Sequence, residues 1–133
     1  MQERTVMLIA RIIMTPLFIY SGFSKIFNLT DNALKTPFGD TLPGEMMIVV
    51  AIIIEIGGSL ALIMGYKMKA VSLLLIFYVL LTSIMFHPFW FYTGTQRTGQ
   101  IIQFTKNLSI CAGLIYFWVF QSGAEKSPPS AES

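Results

Sequence analysis

Four side chains that ionise or hydrogen-bond strongly stand inside stretches otherwise built of apolar residues: Arg11, Glu55, Lys106 and Asn107. A charge at the centre of a bilayer costs about 2.5–3.5 kcal/mol on insertion scales. Such a group must be paired, hydrated or neutralised, and each of those states can also hold a polar ligand or move a proton. Glu55 lies near the middle of its stretch and cannot reach water by extending its side chain. Arg11 lies about one and a half helical turns inside the first stretch. If these two stretches run antiparallel, both residues reach the same half of the membrane, and an Arg11–Glu55 ion pair is expected. The pair would act as structural glue or as part of a functional polar site. The other reading has Arg11 extending to the headgroups, with Glu55 protonated.

The last apolar stretch adds Gln103 to Lys106 and Asn107. Gln103 and Asn107 are four residues apart and stack on one helical face, which Lys106 borders and Cys111 and Leu114 continue. This face is expected to point inward, either as hydrogen-bonding glue between helices or as a ligand-binding surface. Lys106 has a second option, extending outward to the interface. His87 is the single histidine, in Phe86-His87-Pro88-Phe89-Trp90, and with Trp90 and Tyr92 it forms a candidate pocket mouth. Its readings are an interfacial residue or a proton or redox group. No metal site is expected, because no second His or Cys stands at ligand spacing. Cys111 is the one cysteine and reads as a small buried apolar side chain.

The elements that must position these residues are membrane helices. Of 133 residues, 54% are hydrophobic and 12% charged, whereas a soluble domain carries about 25% charge. Four stretches reach the roughly 20 apolar residues that cross the hydrocarbon core: about 6–27, 45–64, 69–86 and 100–120. A spanning helix satisfies its own backbone hydrogen bonds, which lipid cannot do. Turn-forming residues separate them: Asp31, Asn32, Pro37, Gly39, Asp40, Pro43 and Gly44 in the first break, Gly65 to Lys69 in a tight second one, and Pro88 at the third. The expected fold is all-α, an integral membrane four-helix bundle with up-down-up-down order in one domain over residues 1–120. A polar, disordered tail is expected over 121–133. The first stretch is read as retained rather than as a signal peptide, since Arg11 interrupts it and it runs too long. Thr15 and Pro16 are expected to kink it. The doubly basic Lys67–Lys69 connection favours both termini in the cytoplasm. The net charge of +2 is dispersed, so no nucleic-acid partner is expected.

In their order these pieces resemble the DoxX family of small four-span membrane proteins. The resemblance is carried by Arg11-Ile12-Ile13-Met14-Thr15-Pro16-Leu17-Phe18 with Gly22 and Lys25, by Glu55-Ile56-Gly57-Gly58 with Gly65, by Phe86-His87-Pro88-Phe89-Trp90, and by Phe104-Thr105-Lys106-Asn107-Leu108. It implies the four-span fold, a bacterial inner (plasma) membrane location, and association with quinone-linked redox complexes. It implies no settled catalytic residue. The leading expectation is an accessory subunit, not an enzyme by itself, that holds quinone without a covalent bond in a pocket lined by Arg11, Glu55, Lys106 and Asn107. One alternative is a structural or assembly subunit without chemistry. Another is a small-solute or proton transporter working as an oligomer. Expected partners are the lipid bilayer and other membrane subunits or further copies of the chain.

Overall fold

The structure, a computed structural model, describes residues 2–126, with side chains as far as Phe120. Helix α1 (Glu3–Met14) and helix α2 (Pro16–Phe27) form one apolar rod interrupted at Thr15. Pro16 causes the break: it has no amide hydrogen to donate and is best placed at the first position of a new helix. Thr15 is 1% exposed, and its hydroxyl donates to the Ile12 carbonyl at 3.0 Å. The first connection is not all loop, because it holds a short helix α3 (Leu29–Ala33). Helix α4 (Leu42–Ile52), a π-helical turn (Ile53–Gly57) and helix α5 (Gly58–Met64) make the second rod. Helix α6 (Met68–Phe86) follows, then a 3₁₀ turn (Phe89–Phe91) and the long helix α7 (Gly94–Lys126). No strand occurs among the described residues. Helix α7 starts before residue 100 because Gly94, at φ +61°, ends the connection early. Beyond Lys126 the expected tail lies outside the described residues.

Three segments are long and apolar enough to cross a membrane: Glu3–Phe27, Leu42–Met64 and Met68–Phe91. Their outer faces carry large apolar side chains such as Ile13, Val50, Phe77 and Ile84, all exposed. Lipid accounts for them, since water would not leave a surface this apolar.

Contacts along the rods run in opposite senses. Gly22 in α2 faces Glu55 and Ile56, while Arg11 in α1 lies against Gly65. A Cβ at Gly22 would press into Ile56, so glycine sets how closely the two rods approach. Gly65 closes α5 at φ +72°, a left-handed conformation that suits a helix end. Gly58 packs on Leu75 across the tight turn. Along α7 the inward stripe is Gln100, Phe104, Asn107, Cys111 and Leu114, a 4-3-4-3 spacing that keeps one seam against α6. Leu62, Leu75 and Leu114 are fully buried at the centre with Phe18, Val79 and Phe117.

Candidate functional site

The π-helical turn that carries Glu55 brings this carboxylate into contact with two other helices. A π turn inserts one extra residue into a helix and re-aims the side chains around it. Ser59 donates to the Glu55 carbonyl at 2.6 Å within this widened stretch. The carboxylate is 4% exposed. From α2, the Lys25 ammonium donates to both carboxylate oxygens, Oε1 and Oε2, each at 3.0 Å. Lys25 also donates to the Ser21 hydroxyl at 2.5 Å, and Ser21 in turn donates to Oε1 at 3.1 Å. From α6, the Tyr78 hydroxyl donates to Oε1 at 2.7 Å. Lys25–Glu55 is the one ion pair found among the described residues. The i, i+4 spacing of Ser21 and Lys25 puts both on the α2 face that meets Glu55.

This arrangement corrects the expected Arg11–Glu55 pair. The contacts of Gly22 with Glu55 and of Arg11 with Gly65 set the antiparallel register. Arg11 is therefore level with residue 65, about ten residues or roughly 15 Å of helix rise from Glu55. Its guanidinium lies against the left-handed end of α5, where the last carbonyls carry partial negative charge. Its Nε has no hydrogen-bond partner among the described residues. The residue that does pair with Glu55 is Lys25, three residues beyond the Gly22 that faces Glu55, and its long stem covers the remaining offset.

A cavity of about 620 Å³ lies beside the cluster. Ser21, Lys25, Glu55 and Tyr78 line its inner end, and Leu17, Phe18, Ile48, Val79, Met85 and Ile110 supply apolar wall. Its other end is bounded by Asn32 and Lys35 of the first connection and by His87, Pro88 and Tyr92 of the last. Lys106 and Asn107 line the α7 side. Of the residues expected at the site, the cavity thus gathers Glu55, Lys106, Asn107, His87 and Tyr92. It does not gather Arg11, Gln103 or Trp90. Trp90 packs instead with Phe89 and Phe104 in an aromatic group at the bundle end.

The expected inward face of α7 is corrected in part. Asn107 does turn inward and donates to Ser83 Oγ at 2.9 Å. Gln103 and Lys106 lie on the flank, both exposed, with the ammonium hydrogen-bonded to Gln103 Oε1. The reason is the 4-3-4-3 seam, which selects Gln100 and Phe104 and leaves Gln103 and Lys106 beside it. Gln100 is tied to His87 Nδ1 at 2.9 Å. Sequence reasoning missed Tyr78, because a tyrosine within an apolar helix carries no sign that its hydroxyl meets an acid 23 residues away.

No solved structure matches the chain. Among curated proteins, it is 28% identical over 119 residues to the inner membrane protein YphA of Escherichia coli, covering 89% of this chain and 84% of that protein. It is 33% identical over 119 residues to the inner membrane protein YqjF of the same organism, covering 88% and 85%. A shorter match, 33% over 64 residues, reaches the ER-derived vesicles protein ERV29 of Saccharomyces cerevisiae, covering 48% of this chain and 21% of that protein. The DoxX family model matches residues 6–88, from the first rod through the whole of α6 to Pro88. That match spans more than half of the chain and includes the Lys25–Glu55–Tyr78 cluster, so the protein belongs to the DoxX family of small membrane proteins.

Proposed function

We propose that this protein is an accessory subunit for quinone-linked redox chemistry in an inner (plasma) membrane, and that its cavity takes the quinone ring. The observation that carries this reading is the buried Lys25–Glu55–Ser21–Tyr78 cluster at the inner end of a cavity with apolar walls. A pocket of this kind, largely apolar with a few convergent polar groups, suits a lipophilic small molecule. Bound there, a quinone supplies a couple that takes up two electrons and two protons. The chain's own residues would then have simple tasks. Leu17, Phe18 and Val79 pack the ring and keep water away. A ring oxygen would take over a donor that Lys25 or Tyr78 now gives to Glu55, and the carboxylate oxygens so released would hold a proton in transit. The electrons come from a partner subunit.

In this reading α7 is a fourth crossing and the bundle is up-down-up-down. Asn107 is turned onto Ser83, and the Lys106 stem can reach the headgroups. Arg4, Arg11, Lys67 and Lys69 collect at one end, which the positive-inside rule assigns to the cytoplasm with both termini. The cavity mouth then faces the opposite side.

The test is binding of a short-chain ubiquinone and a short-chain menaquinone to the protein in nanodiscs. Glu55→Gln and Tyr78→Phe should each weaken binding, and Arg11→Ala should not. Folded Glu55→Gln and Tyr78→Phe variants that bind both quinones as well as the wild type would end this reading. One observation favours a scaffold role instead: the cluster ties α2, the π turn and α6 together, which fixes helix register without any ligand. A complex that assembles normally around Glu55→Gln would count against that alternative.

A further inference from the structure

The charges that line the cavity do not balance. Among the described residues Glu55 is the sole carboxylate in the lining, and Lys25 holds both of its oxygens. Two further cations, Lys35 and Lys106, line the same cavity nearer its mouth. Among the described residues neither has an acidic partner within ion-pair distance. The Lys106 ammonium rests on a neutral acceptor, Gln103 Oε1. Both lysines are exposed, so their mutual repulsion is modest and partly screened by solvent. An anion between them would relieve it and gain charge-assisted hydrogen bonds.

The position of the two lysines says what else the ligand carries. Asn107 is bonded to Ser83, so Lys106 stands about half a turn inside the end of α6 at Phe86, roughly 3 Å along the helix. With its stem extended, Lys106 reaches the level of the first connection, where Lys35 sits. From there the walls become apolar toward the Glu55 cluster. Helices α2 and α7 both line the cavity, with Leu17 and Phe18 on one side and Lys106 and Ile110 on the other. Leu17 on one edge and Lys106 on the other are exposed.

We infer that the Lys35–Lys106 mouth is a binding site for the anionic head of an amphiphile, a carboxylate or phosphate, whose apolar chain enters between α2 and α7. This rests on the reading of the cavity as a ligand site and not on the ligand being a quinone. Two sources share this chemistry, a membrane amphiphile and a soluble anion.

The test uses the full chain in nanodiscs of phosphatidylcholine, with fluorescent hexadecanoate and its methyl ester as probes. The acid should bind at least about tenfold more tightly than the ester, and added salt should narrow the gap. Lys35→Gln and Lys106→Gln should each weaken acid binding about fivefold to tenfold and leave the ester unchanged. Displacement by hexadecyl phosphate but not by inorganic phosphate identifies a membrane amphiphile as the source; displacement by both identifies a soluble anion, with the site itself upheld. Equal binding of acid and ester by the wild type overturns the inference without any variant. So does unchanged acid affinity in both folded lysine variants. A neutral quinone that binds while hexadecanoate does not would overturn the inference and leave the proposed function standing. Hexadecanoate binding without quinone binding would do the reverse.

Discussion

Replacing Lys25 by methionine removes the cation from Glu55 while keeping most of the side-chain volume in α2. The ammonium contacts both carboxylate oxygens, at 3.0 Å each. The Glu55 side chain is 5% exposed and that of Lys25 18%, so solvent screens the pair only weakly. Breaking a buried pair from one side costs about 3–5 kcal/mol, because the remaining charge stays desolvated. The partial exposure of Lys25, and the donors that Ser21 and Tyr78 still offer to Glu55, place Lys25→Met at the lower end, about 3 kcal/mol. Glu55→Gln should cost a similar amount by stranding the ammonium. The double variant leaves neither charge unpaired. It should cost about 3–4 kcal/mol in all instead of the roughly 6 of independent sites, a coupling of about 2–3 kcal/mol. Reversible unfolding in mixed micelles, followed by circular dichroism, measures all four corners of the cycle. The control is the cycle between Arg11→Met and Glu55→Gln, whose sites are level with different turns of the bundle and should add within about 0.5 kcal/mol. Strong coupling of Arg11 with Glu55, together with additivity of Lys25 with Glu55, would refute the register on which the site is built.

Three other outcomes follow from single contacts. Tyr78→Phe removes a donor to the carboxylate and should cost about 1.5–3 kcal/mol in the same unfolding assay. Gly65→Ala introduces a Cβ where φ is +72° and the Arg11 guanidinium already sits, so a loss of about 1–2 kcal/mol is expected. Gly65→Ala combined with Arg11→Met should recover the steric part and leave the backbone part. Asn107→Ala breaks the α6–α7 bond to Ser83 and should cost about 0.6–1.7 kcal/mol, a modest loss because Ser83 keeps its own bond to the Val79 carbonyl. A larger loss from Asn107→Ala than from Lys25→Met would mean that the α7 seam, not the Glu55 cluster, holds the bundle together.

Much of this molecule is written in local sequence, because the bilayer imposes a rule that each segment must satisfy alone. Apolar runs of spanning length gave three membrane-length rods within a few residues of their observed bounds, and Pro16, Gly65 and Pro88 marked the breaks. The cost of ionisable groups in hydrocarbon singled out Glu55 without any structure. What local sequence does not hold is rotation and register between helices. Lys25 was visible as a cation near a helix end, yet nothing in its neighbourhood ranked it above Arg11 as the partner of Glu55. That choice follows from how closely Gly22 lets the rods approach and from where Gly65 stops the second one. The rotation of α7 was misread by one flank because both spacings, through Gln103 or through Gln100 and Phe104, are helical. Packing against α6 decided between them. The π turn at Ile53–Gly57 carries no pattern of its own, and Tyr78 is polar only at its tip. Charge in lipid is a property of one residue and can be read from one residue. Its neutralisation is a property of two helices, fixed only when their surfaces meet.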